Sequence, residues 1–452
     1  MKIQFNTSHH FHLIKIPLIA VLLALLLMSL VNTRANAQDR TLRLQEAIEL
    51  GLQNSKVLKL SQSKIDEAVS QYNQEKDRAL PEGSVSLAYN RAQIPYNRLS
   101  LGEQSISLPK SANAFLGIAS VNQTIFAGHR LKYAQESTNM LTDIARLDAV
   151  KDKDQITYDI INAYYNLYKV QQSIKVVNQN LETIDDQIHQ SQRFFEQGLV
   201  TKNDVLRFQL QRSNIQMNGV DLESNRKIIN HNLNILLGLP ESTRLVIDEI
   251  PMAKRAIGTL NDYVDSALTN RKELAQLDIR KQIAETNIKS IKANTTPTLA
   301  ASVGAYYVDV SANPIPRSGN FITPVTVGLT ASWNFGTLWT NKNKIAQAKI
   351  QETEVDINKG IVSDQLRNEV NQNYQNYITA MDKIQLLQTA IEQAGENNNI
   401  LASKYKSNIA SATDRADAET LLYQAQINLA LAKADADLAY YTLIKSTGKL
   451  NK

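Results

Sequence analysis

The chain has 452 residues, 43% hydrophobic but only 6% aromatic, a balance that suits extended helices better than one large globular core. It contains no cysteine, which excludes disulfides, thiolate zinc sites and a lipid-anchored N-terminal cysteine. The formal charge of +5 includes Lys2, Lys15 and Arg34 of a leader; without them about +2 remains, and with no dense basic run interleaved with aromatics this argues against nucleic acid as a partner.

Residues 1–37 read as a signal peptide. Lys2 and Lys15 precede an apolar run from Ile16 to Val31, and Ala35-Asn36-Ala37 supplies the small residues a signal peptidase accepts. The run is shorter than the ~20 residues a spanning helix needs, so cleavage is expected rather than anchoring. Nothing later in the chain is apolar enough for a transmembrane helix. A membrane crossing would have to be made by strands.

Leu44 to Ala79 has helical periodicity, stopped by Pro81 and Gly83. Val85, Leu87 and Tyr89 then share one side of a short strand. Arg91 to Asn113, with Pro95, Gly102 and Pro109, reads as a loop, and a second strand covers about Ala114 to Phe126. From His129 to Gln197 there is neither proline nor glycine, and Leu181, Ile184, Ile188 and Phe195 recur at helical spacing. At 1.5 Å per residue such a helix is roughly 100 Å long. It turns at Gly198 and returns to Leu237. Residues 241–258 are a linker.

Leu260 begins the series again. Leu44 falls on Leu260, Leu52 on Leu268, Asn54 on Asn270, Leu58 on Leu274 and Pro81 on Pro297 without a gap. Further on, Tyr164 falls on Tyr374, Gly198 on Asn408 and Asp204 on Asp414. The chain is therefore internally duplicated, with a first repeat over 38–240 and a second over 259–452. The second repeat has its own long arm from Leu338 to Lys406 and its own turn at residues 405–417. In that arm Ile384, Leu387, Ile391, Ala394, Leu401 and Tyr405 form a coiled-coil seam.

The clearest strand alternates Val325, Val327, Leu329, Ala331, Trp333 and Phe335 with Thr326, Gly328, Thr330, Ser332 and Asn334. A soluble sandwich and a membrane barrel both use this pattern. The leader and the lack of another large core favour the barrel. Four strands cannot close one, and an open edge in hydrocarbon leaves unpaired backbone groups costing several kcal/mol each. Sister copies must supply the missing neighbours. Three copies would give twelve strands and room for a channel.

The duplicated opening "LQEAIELGLQNSKVL", the "VNQTIFAGHR" entry to the first long helix, "AYYNLYKVQ", the "GLVTKNDVL" turn and the closing "LLGL" are together similar to the TolC-type outer-membrane efflux proteins, over essentially the whole mature length. The resemblance implies a mainly α fold with a β-barrel part. Long coiled-coil hairpins would form a periplasmic tunnel, and four strands per chain would contribute to a homotrimeric twelve-stranded barrel in the outer-membrane lipid. It implies a passive exit duct for efflux or type I secretion, with a periplasmic adaptor (membrane fusion) protein and an inner-membrane transporter as partners, and no cofactor. It also places Asp414 and Asp417 at an acidic constriction, with Tyr405, Asp204 and Asn203 as contacts holding the closed tip. Ala410 stands where the family carries a gate-locking arginine, and Asn408 where it carries glycine, which asparagine can replace in a left-handed turn. Asp414 and Asp417 also read as an N-cap and a first-turn acid.

No enzyme motif emerges. Beyond the leader only His129, His189 and His231 remain, widely separated on helical stretches, and no phosphate loop or metal spacing is present. The alternative from another class is a soluble periplasmic coiled-coil scaffold or adaptor.

Overall fold

The computed structural model describes residues 39–93, 95–96, 98–107, 110–248, 257–313 and 322–451. The leader expected at 1–37 lies outside these residues, as does part of the 241–258 linker. The first repeat runs β1 (Asp39–Thr41), α1 (Leu44–Asn54), α2 (Lys56–Asp77), β2 (Glu82–Gln93), β3 (Arg98–Leu101), β4 (Gln104–Ser107), β5 (Ser111–Phe126), α3 (Arg130–Glu196) and α4 (Lys202–Leu237). After β6 (Arg244–Val246) the second runs α5 (Leu260–Asn270), α6 (Lys272–Ala293), β7 (Thr298–Asn313), β8 (Val325–Ser332), α7 (Thr337–Lys406) and α8 (Ala412–Ser446).

The opening helix of each repeat is two helices. At Ser55 and Arg271 the backbone leaves the helical region (ψ 118° and 128°), and the Ser55 hydroxyl caps the new start at Leu58 N. Apolar periodicity continues across the break and conceals it. The Arg91–Asn113 stretch is also more ordered than its prolines suggest. β2 extends to Gln93, β5 begins at Ser111, and β3 and β4 pair around Gly102, whose φ of +65° suits a tight turn.

Four strands form one antiparallel sheet in the order β2-β5-β7-β8. Its register sorts the side chains. Val85, Leu87 and Tyr89 lie opposite Ala119, Gly117 and Phe115; these oppose Ala305, Tyr307 and Asp309; Ala305, Val303 and Ala301 oppose Val325, Val327 and Leu329. Between Gln123 and Asp309 that face is apolar. The other carries Ser84, Ser86, Asn90, Ser120, Asn122, Ser302, Gly304, Thr326, Gly328 and Thr330, interrupted by Leu116, Ile118, Tyr306 and Val308. The apolar face is uncovered, with Leu87 85% and Val327 80% exposed. β2 and β8 are open edges of this sheet. The alternation expected to reach Phe335 outlasts its strand, which stops at Ser332, because Asn334, Gly336 and Thr337 already turn into α7.

α3 spans 67 residues and α7 spans 70, each folding back on its partner. The turns use one device. Gly198 (φ +72°) ends α3, and Leu199 N donates to Phe194 O; Asn408 (φ +55°) ends α7, and Ile409 N donates to Lys404 O. The pieces of buried core lie along these hairpins. One gathers Leu42, Ile160, Tyr164, Tyr165, Leu233, Leu237 and Leu245, where the β1–β6 pair crosses the helices; another lies at the turns. Of the apolar stripe expected on α3, Leu181, Ile184 and Ile188 enter this second core, whereas Phe195 faces out and Phe194 takes its place.

Candidate functional site

At the turns the two hairpins meet side by side. Val177, Ile184, Phe208 and Ile215 of the first pack with Tyr405, Ala412 and Ala416 of the second. Tyr405 is the centre of this packing. It is 3% exposed, and its ring lies 5.8 Å from those of both Phe194 and Phe208. Burial pushes its phenol pKa above the usual tyrosine value, the charge of Asp204 adds to this, and Ser191 and Arg415 oppose it. The hydroxyl completes no hydrogen bond of good geometry within the chain, and neither does Ser191 Oγ beside it.

Both turns start their return helix with a hydroxyl–carboxylate box. Thr201 N and Oγ1 donate to Asp204 Oδ2 at 2.8 and 2.7 Å. Ser411 N and Oγ donate to Asp414 Oδ2 at 3.2 and 2.7 Å, and Asp414 N donates back to Ser411 Oγ at 3.1 Å. Ser411 is thus the N-cap and Asp414 the third residue of its helix, one correction to the capping role expected of the aspartate itself. The side-chain and backbone bonds from Ser411 hold the Asp414 carboxyl below the usual carboxylate range. The same engagement keeps Asp204 occupied by Thr201 rather than by Tyr405. Asn203 and Asp417 are exposed, and Asp417 follows Asp414 by one helical turn, so both acids share one face of α8.

The structure adds two residues that the sequence reading passed over. Arg415 and Glu419 are buried, at 7% and 3% exposure, and pair at 2.9 Å (Nη2 to Oε2). Arg415 also donates to Asn398 Oδ1 on α7, and Gln187 Nε2 of α3 donates to Glu419 Oε2 at 3.2 Å. Nearby, Gln211 of α4 donates to the Ala416 carbonyl and to Thr420. An ion pair inside the second hairpin is thereby tied to the first. Arg415 and Glu419 lie next to the small residues Ala412 and Ala416, which pack against the other hairpin. Ala410 offers no charge, and the guanidinium of Arg415, five residues later, is engaged by Glu419 and Asn398.

No helix among the described residues is long and apolar enough to cross a membrane, and no cluster of metal-ligating side chains occurs among them. His129, His189 and His231 are exposed.

The model of the family described as outer membrane efflux protein matches residues 47–239 and 263–449, one block in each repeat. Among curated relatives, the toluene efflux pump outer membrane protein TtgC of Pseudomonas putida is 22% identical over 85% of this chain and 78% of its own. The outer membrane efflux protein BepC of Brucella suis is 19% identical over 73% of this chain and 71% of its own. Among solved structures, the outer membrane protein VceC of Vibrio cholerae matches with a TM-score of 0.72 at 17% identity, covering 90% of this chain and 96% of that one. The Campylobacter jejuni CmeC outer membrane channel matches equally well, at 0.72 and 14% identity over 90% and 86%. At such identities the structural likeness establishes the fold.

Proposed function

The chain belongs to the outer membrane efflux protein family, and from that premise we propose that it is the outer-membrane exit duct of a tripartite efflux or type I secretion system. Solutes handed over by an inner-membrane transporter and a periplasmic adaptor would pass through it without chemistry of its own. The observation that carries this reading is the two-faced sheet. An apolar face of some four strands' width stands bare above helices about 100 Å long, and β2 and β8 leave backbone donors and acceptors unpaired at both edges. Hydrocarbon penalises each such group by several kcal/mol, so insertion requires neighbours at both edges. Three copies closing edge to edge supply them and enclose the serine- and threonine-rich face as a wet lumen. The hairpins, charged along their length, then continue the lumen into the periplasm. In this setting Asp414 and Asp417 from three copies form an acidic ring, with Tyr405, Asp204 and Asn203 on the hairpin contacts around it. The repeats 38–240 and 259–452 are the two structural units, and 1–37 is removed as a signal peptide.

Detergent-purified protein tests the assembly. A trimer that inserts into planar bilayers and conducts in discrete steps is expected. A water-soluble monomer without lipid affinity would return the chain to the class of periplasmic scaffolds.

A further inference from the structure

Four elements converge where the sheet gives way to the helices, and they carry a second pattern. Trp333 continues the apolar face of β8 beyond the last ladder pair, and its indole N–H donates to Thr295 O at 2.9 Å. Phe335 lies 6.2 Å from it and Trp339 of α7 5.8 Å from Phe335. Phe126 lies opposite Leu299, itself opposite Ala331 of the same face, and meets His129 edge-on at 5.8 Å. All four aromatics are exposed. They border the apolar face as a belt.

Immediately on the helical side stand lysines. Lys292 lies beneath Trp333, because its carbonyl accepts from Thr295 N and Oγ1 at 3.2 and 2.8 Å. Lys342 follows Trp339 by three residues on α7 and so shares its side of the helix, and Lys132 stands in the first turn of α3, just past the left-handed His129. All three are exposed. Lys132 forms a loose ion pair with Glu136 at 3.8 Å, whereas Lys292 and Lys342 enter no ion pair among the described residues.

Apolar strand, aromatic belt and cationic collar follow one another in the order of a leaflet's hydrocarbon, interface and phosphate layers. We propose that Lys132, Lys292 and Lys342 form a binding collar for anionic phospholipid headgroups of the leaflet on the helical side of the barrel. This rests on the membrane reading above. The occupant follows from direction and charge. The collar adjoins the bare apolar face, where acyl chains end, and its ammonium groups, those of Lys292 and Lys342 without an ion pair among the described residues, complement phosphate. A lysine stem spans the distance, with its methylenes along the belt and its charge beyond it. Lipid phosphates of the opposite leaflet would meet the other end of the sheet.

The sequence contains just two tryptophans, Trp333 and Trp339, so fluorescence excited selectively in tryptophan, beyond the tyrosine absorption, reports the belt alone. The full mature protein is reconstituted in phosphatidylethanolamine vesicles doped, at equal fraction, with acyl-brominated phosphatidylglycerol or acyl-brominated phosphatidylethanolamine. The expected result is stronger quenching by the anionic lipid, reflecting about fivefold local enrichment per well-placed lysine. That preference should fade when the Debye length is cut from about 10 to 3 Å with salt. It should also be lost in the Lys132→Gln/Lys292→Gln/Lys342→Gln variant, whose total quenching stays as high as the parent's with the neutral lipid. Equal quenching by both lipids, or a preference untouched by the triple variant, overturns the collar and leaves the lysines to an acidic protein face. Quenching by neither lipid places the belt outside the bilayer, and the membrane reading falls with the collar.

Discussion

The turns of the two repeats are built alike up to the cap and differ after it. Gly198, Thr201 and Asp204 of the first correspond to Asn408, Ser411 and Asp414 of the second, with the same positive φ and the same hydroxyl–carboxylate box. Past the box, the first turn continues with Val205, Arg207 and Gln209, and the second carries Arg415, Asp417 and Glu419 at the matching positions. The cap is thus the duplicated, structural part. What sets the second turn apart is a buried ion pair, Arg415 with Glu419, and an exposed acid, Asp417, where the first has Arg207. Asp414 belongs to the box; Asp417 serves no cap.

The largest expected effect separates the two turns by removing the buried carboxylate of the second. Glu419→Ala leaves the Arg415 guanidinium buried without its carboxylate, a situation that typically costs 3–5 kcal/mol. Basal single-channel conductance and tryptic cleavage at the second turn should both rise. Replacing both residues by leucine should restore much of the closure, since apolar pairs of similar volume often match a buried ion pair. Unaltered conductance and cleavage in Glu419→Ala would leave the pair a local staple with no hold on the tip.

Next comes the acidic ring. Asp414→Ala with Asp417→Ala should abolish block by trivalent cations in planar bilayers while the trimer persists. The counterpart Asp204→Ala should weaken its turn by about 1 kcal/mol, the usual worth of a cap, and leave block intact. Block that survives the double substitution removes these acids from the conducting path.

Acid should then loosen the second turn in a defined direction. The Asp414 carboxyl is held below its ordinary value by Ser411. Its stabilising contribution is therefore present above the unfolded carboxylate pKa and is lost as pH falls through the depressed folded value. A fluorophore at exposed Asn399 should report tip mobility increasing only below about pH 4. Ser411→Ala, which removes the cause, should flatten that response; a response unchanged by Ser411→Ala would assign it elsewhere.

Tyr405→Phe gives the smallest change. The hydroxyl is buried without a well-formed partner, so its loss should alter tip stability and basal conductance by less than about 1 kcal/mol. Tyr405→Ala, which empties the space between Phe194 and Phe208, should cost about 3–5 kcal/mol. A Tyr405→Phe channel that opens as readily as Tyr405→Ala would mean that the hydroxyl bonds to a sister copy on assembly.

Much of this was legible beforehand because the signals are local. Long runs free of proline and glycine define α3 and α7, the residues at 198 and 408 mark their ends, and strict alternation assigns the two faces of β8. The break at Ser55 was hidden since apolar spacing runs through it, and the β3–β4 hairpin was masked by flanking prolines. The burial of Arg415 and Glu419 was missed for another reason. Charged residues in the first turns of a helix ordinarily face water, and only the neighbouring hairpin makes that face interior.

By itself the sequence determined the duplication, the helix lengths, the caps and the parity of each strand, because each depends on residues a few positions apart along one backbone. Tertiary structure alone decided which charges are buried at the turns and which lysines stand beneath the aromatic belt. Those arrangements join α3, α4, α7 and α8 at one end and α3, β8, α6 and α7 at the other, and the environment of a charge is set by what packs against it, not by its neighbours in the chain.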